Sequence, residues 1–146
     1  LYTFGNCEST IYEYSSKNES IKANGSIPSS LVEGALSDAD FLVAVGNSVN
    51  NQVPSKIFEY LSYGKPIIYF FENEDDSNIE ILKKYPNSKC VNQKDMTFED
   101  SIAELKSFCE TNKNEVITFE QISELYSDAL PEHTAQLIKR IVLNSK

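Results

Sequence analysis

Two uninterrupted apolar runs of strand length, Phe41–Val45 and Pro66–Phe71, enclose one segment long enough for a short helix. That layout leaves few ways to fold. A continuous rather than alternating apolar run is the pattern of a strand covered on both faces. Between the runs lie a polar stretch around Asn50-Asn51-Gln52 and then a helical pattern from Pro54 to Tyr63, with Ile57, Phe58 and Leu61 inward. Gly64 is placed to stop that helix, and Pro66 is tolerable at the start of a strand but not in its middle. Strand, helix and strand make one parallel βαβ unit with a right-handed crossover. In open parallel sheets ligands gather beyond the carboxyl ends of the strands, so the loop after Val45 and the first turn of its helix are the natural ligand site.

The rest of the chain repeats the alternation. Leu1–Phe4 reads as a strand ended by Gly5-Asn6, followed by a helix near 8–17 and a short strand at Ser20–Asn24. Pro28 suits the first turn of a helix reaching about Ser37, with Leu31, Val32, Ala35 and Leu36 on one face. Further on, the pattern predicts a helix near 77–85, a strand at Lys89–Val91 and a longer helix near 97–112. Two closing helices near 118–128 and 132–144 are separated by Pro131. Strands alternating with helices imply an α/β fold, a Rossmann-like parallel sheet with helices on both faces. At 146 residues the expectation is a single domain, 1–146. Its opening on Leu1-Tyr2-Thr3-Phe4, already strand-like, reads as a cut from a longer protein.

Charge narrows the partners. A net charge of −9 argues against nucleic acid or an anionic membrane face, because either needs a basic surface. One small phosphate compound needs only a few N–H groups and one cation, and is not excluded. Cys7, Cys90 and Cys109 share no metal-ligand spacing and read as buried or free thiols in a reducing compartment. With no apolar run of about 20 residues and no secretory signal at the start, the chain reads as cytoplasmic.

Anion chemistry concentrates at Asn50-Asn51-Gln52-Val53-Pro54-Ser55-Lys56. The first N–H groups of a helix lack internal partners and carry the positive end of its dipole. Ser55 adds a hydroxyl and Lys56 an ammonium beside them, although both could equally decorate a solvent-facing turn. Glu59 falls four residues after Ser55, on the same helix face. Its carboxylate could accept hydrogen bonds from two neighbouring hydroxyls, as a ribose offers; alone, a solvated glutamate is the simpler reading.

Several pieces in order resemble one family: Gly5 after a strand, Gly25-Ser26-Ile27-Pro28 before a helix, Ser37-Asp38-Ala39-Asp40 before a strand, and Pro54-Ser55-Lys56-Ile57-Phe58-Glu59-Tyr60-Leu61 followed by Gly64-Lys65-Pro66-Ile67-Ile68. Over residues 1–71 the chain is similar to the C-terminal, donor-binding domain of GT-B glycosyltransferases, in the large family that includes bacterial polysaccharide and lipopolysaccharide enzymes. The resemblance implies half of a GT-B architecture and transfer of a sugar from a nucleotide-diphospho-sugar to a hydroxyl acceptor. It also implies no cofactor and no bound metal.

It assigns roles as well. Glu59 matches the second glutamate of an E-x7-E motif and would hold the ribose. Asn51, Gln52, Val53, Pro54, Ser55 and Lys56 would lie along the diphosphate and sugar, and Gly25, Ser26 and Ile27 would border the nucleobase. Asn51 stands where the family has the first glutamate; an amide can bond a sugar hydroxyl but cannot stabilise positive charge. In such enzymes a basic pair on the diphosphate lies upstream of the position of Leu1. A glycan or lipid-linked acceptor sits on a separate N-terminal domain, expected to be missing here. The fragment alone is therefore expected to transfer nothing, and no residue is assigned to the bond-breaking step. The complete protein could associate peripherally with the inner face of a membrane.

Other features read more simply. Glu72, Glu74, Asp75 and Asp76 look like solvated acids on a loop, and His133 like a surface residue. Tyr69, Phe70 and Phe71 look like core packing, and Lys83-Lys84 and Lys139-Arg140 like helix surface charges, although a basic tail helix could touch a membrane or the missing domain. Two rival classes remain open. One is a nucleoside deoxyribosyltransferase-like enzyme, against which counts the lack of aspartate and glycine in Val49–Val53. The other is a non-catalytic α/β interaction domain.

Overall fold

The computed structural model describes residues 1–5, 9–46, 55–94 and 98–144. The chain divides into two compact units, Leu1–Ala39 and Asp40–Lys146.

In the first unit, β1 (Tyr2–Thr3) and β2 (Lys22–Ala23) pair in parallel, joined by α1 (Ser9–Lys17) and followed by α2 (Ser29–Asp38). The pairing extends past the strands: Lys22 N–H donates to Leu1 O at 2.8 Å, Asn24 N–H to Thr3 O at 3.0 Å and Gly5 N–H to Gly25 O at 2.6 Å. Pro28 sits just outside α2, at φ −55° and ψ 142°. Its ring presets the turn into the helix without costing an internal hydrogen bond. None of α2 is buried, and Leu31, expected on the inward face, is exposed.

The second unit holds a parallel sheet in the order β3 (Leu42–Val45), β4 (Ile67–Phe71), β5 (Ser88–Asn92). The register pairs Leu42 with Ile67 and Ile67 with Ser88. The helices are α3 (Ser55–Ser62), α4 (Ser77–Lys83), α5 (Phe98–Asn112), α6 (Phe119–Leu125) and α7 (Pro131–Asn144), with one 3₁₀ turn at Ser127–Ala129. The chain is thus an α/β protein of parallel strands flanked by helices, a Rossmann-like arrangement. Among the described residues no helix is long and apolar enough to cross a membrane.

The core is built on the central strand. Ile67 and Tyr69 of β4 are fully buried, joined by Leu42, Ile57, Leu61, Leu82 and Tyr85. Ile57 and Leu61 are four apart on α3 and turn one face to the sheet. Phe58 does not share that face. It is 40% exposed and meets Tyr126 edge-on with ring centroids 6.4 Å apart. Tyr126 is buried at the end of α6, and its hydroxyl donates to Ile81 O at 2.7 Å, tying α6 to α4; burial pushes its pKa up to about 12.

The apolar run of β3 is not covered on both faces. Leu42 is 2% exposed and Ala44 half-buried, whereas Val43 and Val45 are 38% and 63% exposed. Side chains alternate across a strand, so Leu42 and Ala44 share the packed face and the two valines share the open one. Among the described residues of this sheet, β3 pairs with β4 alone.

Gly64 ends α3 as the sequence predicts. It adopts φ +68°, and its carbonyl accepts from Ile117 N–H at 2.8 Å. A Cβ there would lie 2.1 Å from Ile117 O. That approach pins the segment entering α6 against the end of α3, and Thr118 and Gln121 then form a reciprocal capping box at the start of α6.

Candidate functional site

The carboxyl end of the sheet is organised by a buried polar cluster between β4 and α4. The Tyr69 hydroxyl donates to Asp76 Oδ2 at 2.5 Å and accepts from Asn78 Nδ2 at 2.9 Å. Asp76 Oδ1 accepts from Asn78 N–H at 2.9 Å and from Asn78 Nδ2 at 2.8 Å. The carboxylate is therefore both the N-cap of α4 and the partner of a core tyrosine. Burial raises the Tyr69 pKa, and the hydrogen bond to Asp76 raises it further, so the hydroxyl stays protonated and donating. Asp76 is 9% exposed, which corrects its reading as a solvated loop acid; Glu72, Glu74 and Asp75 are exposed. Asp76-Ser77-Asn78 ahead of a helical pattern is an N-cap signal, and it was there to be read.

This cluster reaches the end of β3. Gly46 N–H continues the ladder by donating to Phe70 O at 2.7 Å. A Cβ on Gly46 would stand 2.6 Å from Asp76 Oδ2 and 2.9 Å from the Tyr69 hydroxyl. The absent side chain lets the strand end pass directly over the Tyr69–Asp76 pair.

Beside β3 lies an open depression of about 240 Å³ lined by Val43, Ala44, Val45, Lys56, Ile57, Tyr60 and Tyr69. Lys56 and Tyr60 are four apart on α3 and share its face over the depression. Lys56 is exposed and makes no ion pair among the described residues. Tyr60 is half-buried; burial raises its pKa, and the neighbouring Glu59 carboxylate raises it further. Neither Tyr60 nor Tyr69 stood out in the sequence, where an aromatic at helical or strand spacing reads as core.

The sequence-predicted residues fall as follows. Ser55 opens α3, and Lys56 and Glu59 lie on its first two turns. Glu59 is exposed and is not among the residues lining the depression. Asn51, Gln52, Val53 and Pro54 lie outside the described residues. Gly25, Ser26 and Ile27 belong to the first unit, where Gly25 has φ +65°, Ser26 is exposed and Ile27 half-buried.

The depression brings the Lys56 ammonium beside a helix that starts beyond the carboxyl end of a parallel strand, chemistry suited to a small anion, while the Glu59 carboxylate lies on the same helix outside the depression. Cys90 and Cys109 are free, and burial raises both thiol pKa values, away from nucleophile behaviour. Among the described residues no group of three or more His, Cys, Asp or Glu side chains is placed to hold a metal ion. No protein-family model, curated protein or solved structure matches the chain.

Proposed function

We propose that the chain is the donor-binding domain of a glycosyltransferase that moves a sugar from a nucleotide-diphospho-sugar to a hydroxyl acceptor in glycan, polysaccharide or lipopolysaccharide synthesis. The observation that supports this reading best is the placement of α3. It begins beyond the carboxyl end of β3, with Ser55-Lys56 in its first turn and an exposed Glu59 one turn later.

On this reading the nucleotide diphosphate lies across the start of α3. The N–H groups of the first turn and the Lys56 ammonium offset the charge that grows on the diphosphate as its bond to the sugar breaks. Glu59 accepts from the two ribose hydroxyls. The acceptor, a glycan or lipid-linked hydroxyl, is held by a partner domain of the same enzyme, in the cytoplasm or at the inner membrane face.

A thermal-shift series tests the reading. Uridine or guanosine diphosphate is expected to raise the Tm of the complete protein by a few degrees, as a ligand well above its Kd does. Glu59→Ala is expected to abolish that rise while leaving the unliganded Tm unchanged, because the residue is exposed. A complete protein whose Tm ignores both nucleotides overturns the proposal.

A further inference from the structure

The most conspicuous unexplained element is α7. Every described side chain from Pro131 to Leu143 is exposed. Four-turn helices are marginal in water on their own and owe most of their stability to packing an apolar face. Such a face is present: Leu137, Ile138 and Val142 recur at spacings that place them together, 45%, 57% and 57% exposed. Lys139 and Arg140 flank the stripe on its two sides and make no ion pair among the described residues. A contiguous exposed apolar stripe with a charged rim marks an interaction surface.

The same unit carries a surface of matching chemistry. A groove of about 520 Å³ runs beside the start of β5 and along α6, lined by Asn87, Glu115, Val116, Ile117, Glu124 and Leu125 among others. Val116 is 64% and Leu125 37% exposed, so its apolar part is open. Glu115 and Glu124 are exposed and, like the two cations of α7, have no ion-pair partner among the described residues. The buried Asn87 Nδ2 has no hydrogen-bond partner. This groove lies at the amino end of the strands, away from the depression at β3.

We propose that α7 is exchanged between two copies of the chain. The Leu137–Ile138–Val142 stripe of each seats in the groove of the other, with Lys139 and Arg140 facing Glu115 and Glu124. The short connection Ser127–Leu130 serves as the hinge, and exchange of an identical element is a low-cost route to a closed, two-fold dimer. A membrane surface fits less well. Polybasic recognition of anionic lipid uses clusters of about 4–8 cations, whereas α7 supplies Lys139 and Arg140 against Glu132 on a chain of net charge −9.

Light scattering on the full chain after size-exclusion chromatography tests this. The expected mass is twice that of the monomer. Ile138→Glu/Val142→Glu on the helix and Glu115→Lys/Glu124→Lys on the groove should each yield monomers with wild-type circular dichroism. Mixing the two variants should restore a mixed dimer, since one carries an intact groove and the other an intact helix. Adding Lys139→Glu/Arg140→Glu to the groove variant should restore its dimer by reversing both sides. A monomeric wild type, a dimer indifferent to the groove substitutions, or a monomer that sediments with phosphatidylserine vesicles would each overturn the proposal.

Discussion

Gly64→Ala is expected to destabilise the protein by about 3–4 kcal/mol, among the larger losses a single substitution produces. Two effects add. An alanine at φ +68° occupies the left-handed region at a cost of about 1–2 kcal/mol. Its Cβ would then stand 2.1 Å from the backbone oxygen of Ile117, which cannot rotate away as a flexible side chain can. Relief requires moving the segment that enters α6, which breaks the 2.8 Å bond from Ile117 N–H to Gly64 O and disturbs the neighbouring capping box. Thermal unfolding should show a drop of roughly 10–15 °C in Tm. Gly64→Asn separates the two effects, since asparagine tolerates the left-handed conformation but still carries a Cβ. It should recover only a small part of the loss. A Gly64→Ala protein within about 1 kcal/mol of wild type in urea unfolding would show that the approach of Ile117 is not a constraint.

Tyr69→Phe is the second large effect, expected at about 2–3 kcal/mol. The ring and its packing stay; only the hydroxyl goes. Its loss leaves Asp76 Oδ2, in a side chain 9% exposed, without the donor now at 2.5 Å. Bonds to charged groups are worth more than neutral ones, and an unpaired buried acceptor carries its full desolvation cost. The dependence on pH has a definite sign. The folded-state pKa of Tyr69 lies above its ordinary value of 10.0, so its contribution is complete below pH 10 and is lost as pH rises beyond that value. The stability gap between wild type and Tyr69→Phe should therefore be constant near neutrality and narrow above pH 10. Urea titrations at two pH values measure both. An equally stable variant at neutral pH would mean that the Tyr69–Asp76 pair holds nothing in place.

Much of the backbone plan was legible because its signals are local. Gly64 and Pro66 fix where α3 stops and β4 begins, and the apolar run Ile67–Phe71 can be little else than a strand. The failures share a physical cause: a pattern names a face but not its neighbour. The run Phe41–Val45 fits a doubly covered strand, yet among the described residues of its sheet β3 pairs with β4 alone and leaves Val43 and Val45 open. Phe58 has the periodicity of a core residue, but it is 40% exposed and meets Tyr126 edge-on. Asp76 sat in a run of acids that looked solvated; its burial depends on the Tyr69 hydroxyl, seven residues away on β4. The stripe on α7 is equally plain in the sequence, which names nothing to cover it.

For the candidate site, the placement of Ser55, Lys56 and Glu59 on one short helix followed from Pro54 and the apolar spacing. The contributions of Tyr60, Tyr69 and Gly46 did not. They depend on which side of α3 meets the depression and on how closely β3 passes over Asp76, both products of packing.

The central claim, that a nucleotide diphosphate is held where α3 begins, is tested most directly by amide chemical shifts of the isotope-labelled complete protein titrated with uridine and guanosine diphosphate. The account predicts saturable shifts at Gly46 and through Lys56–Tyr60 with one of the two nucleotides, and their loss in Glu59→Ala. Shifts confined to the groove around Val116 and Leu125, or none at millimolar nucleotide, would contradict it.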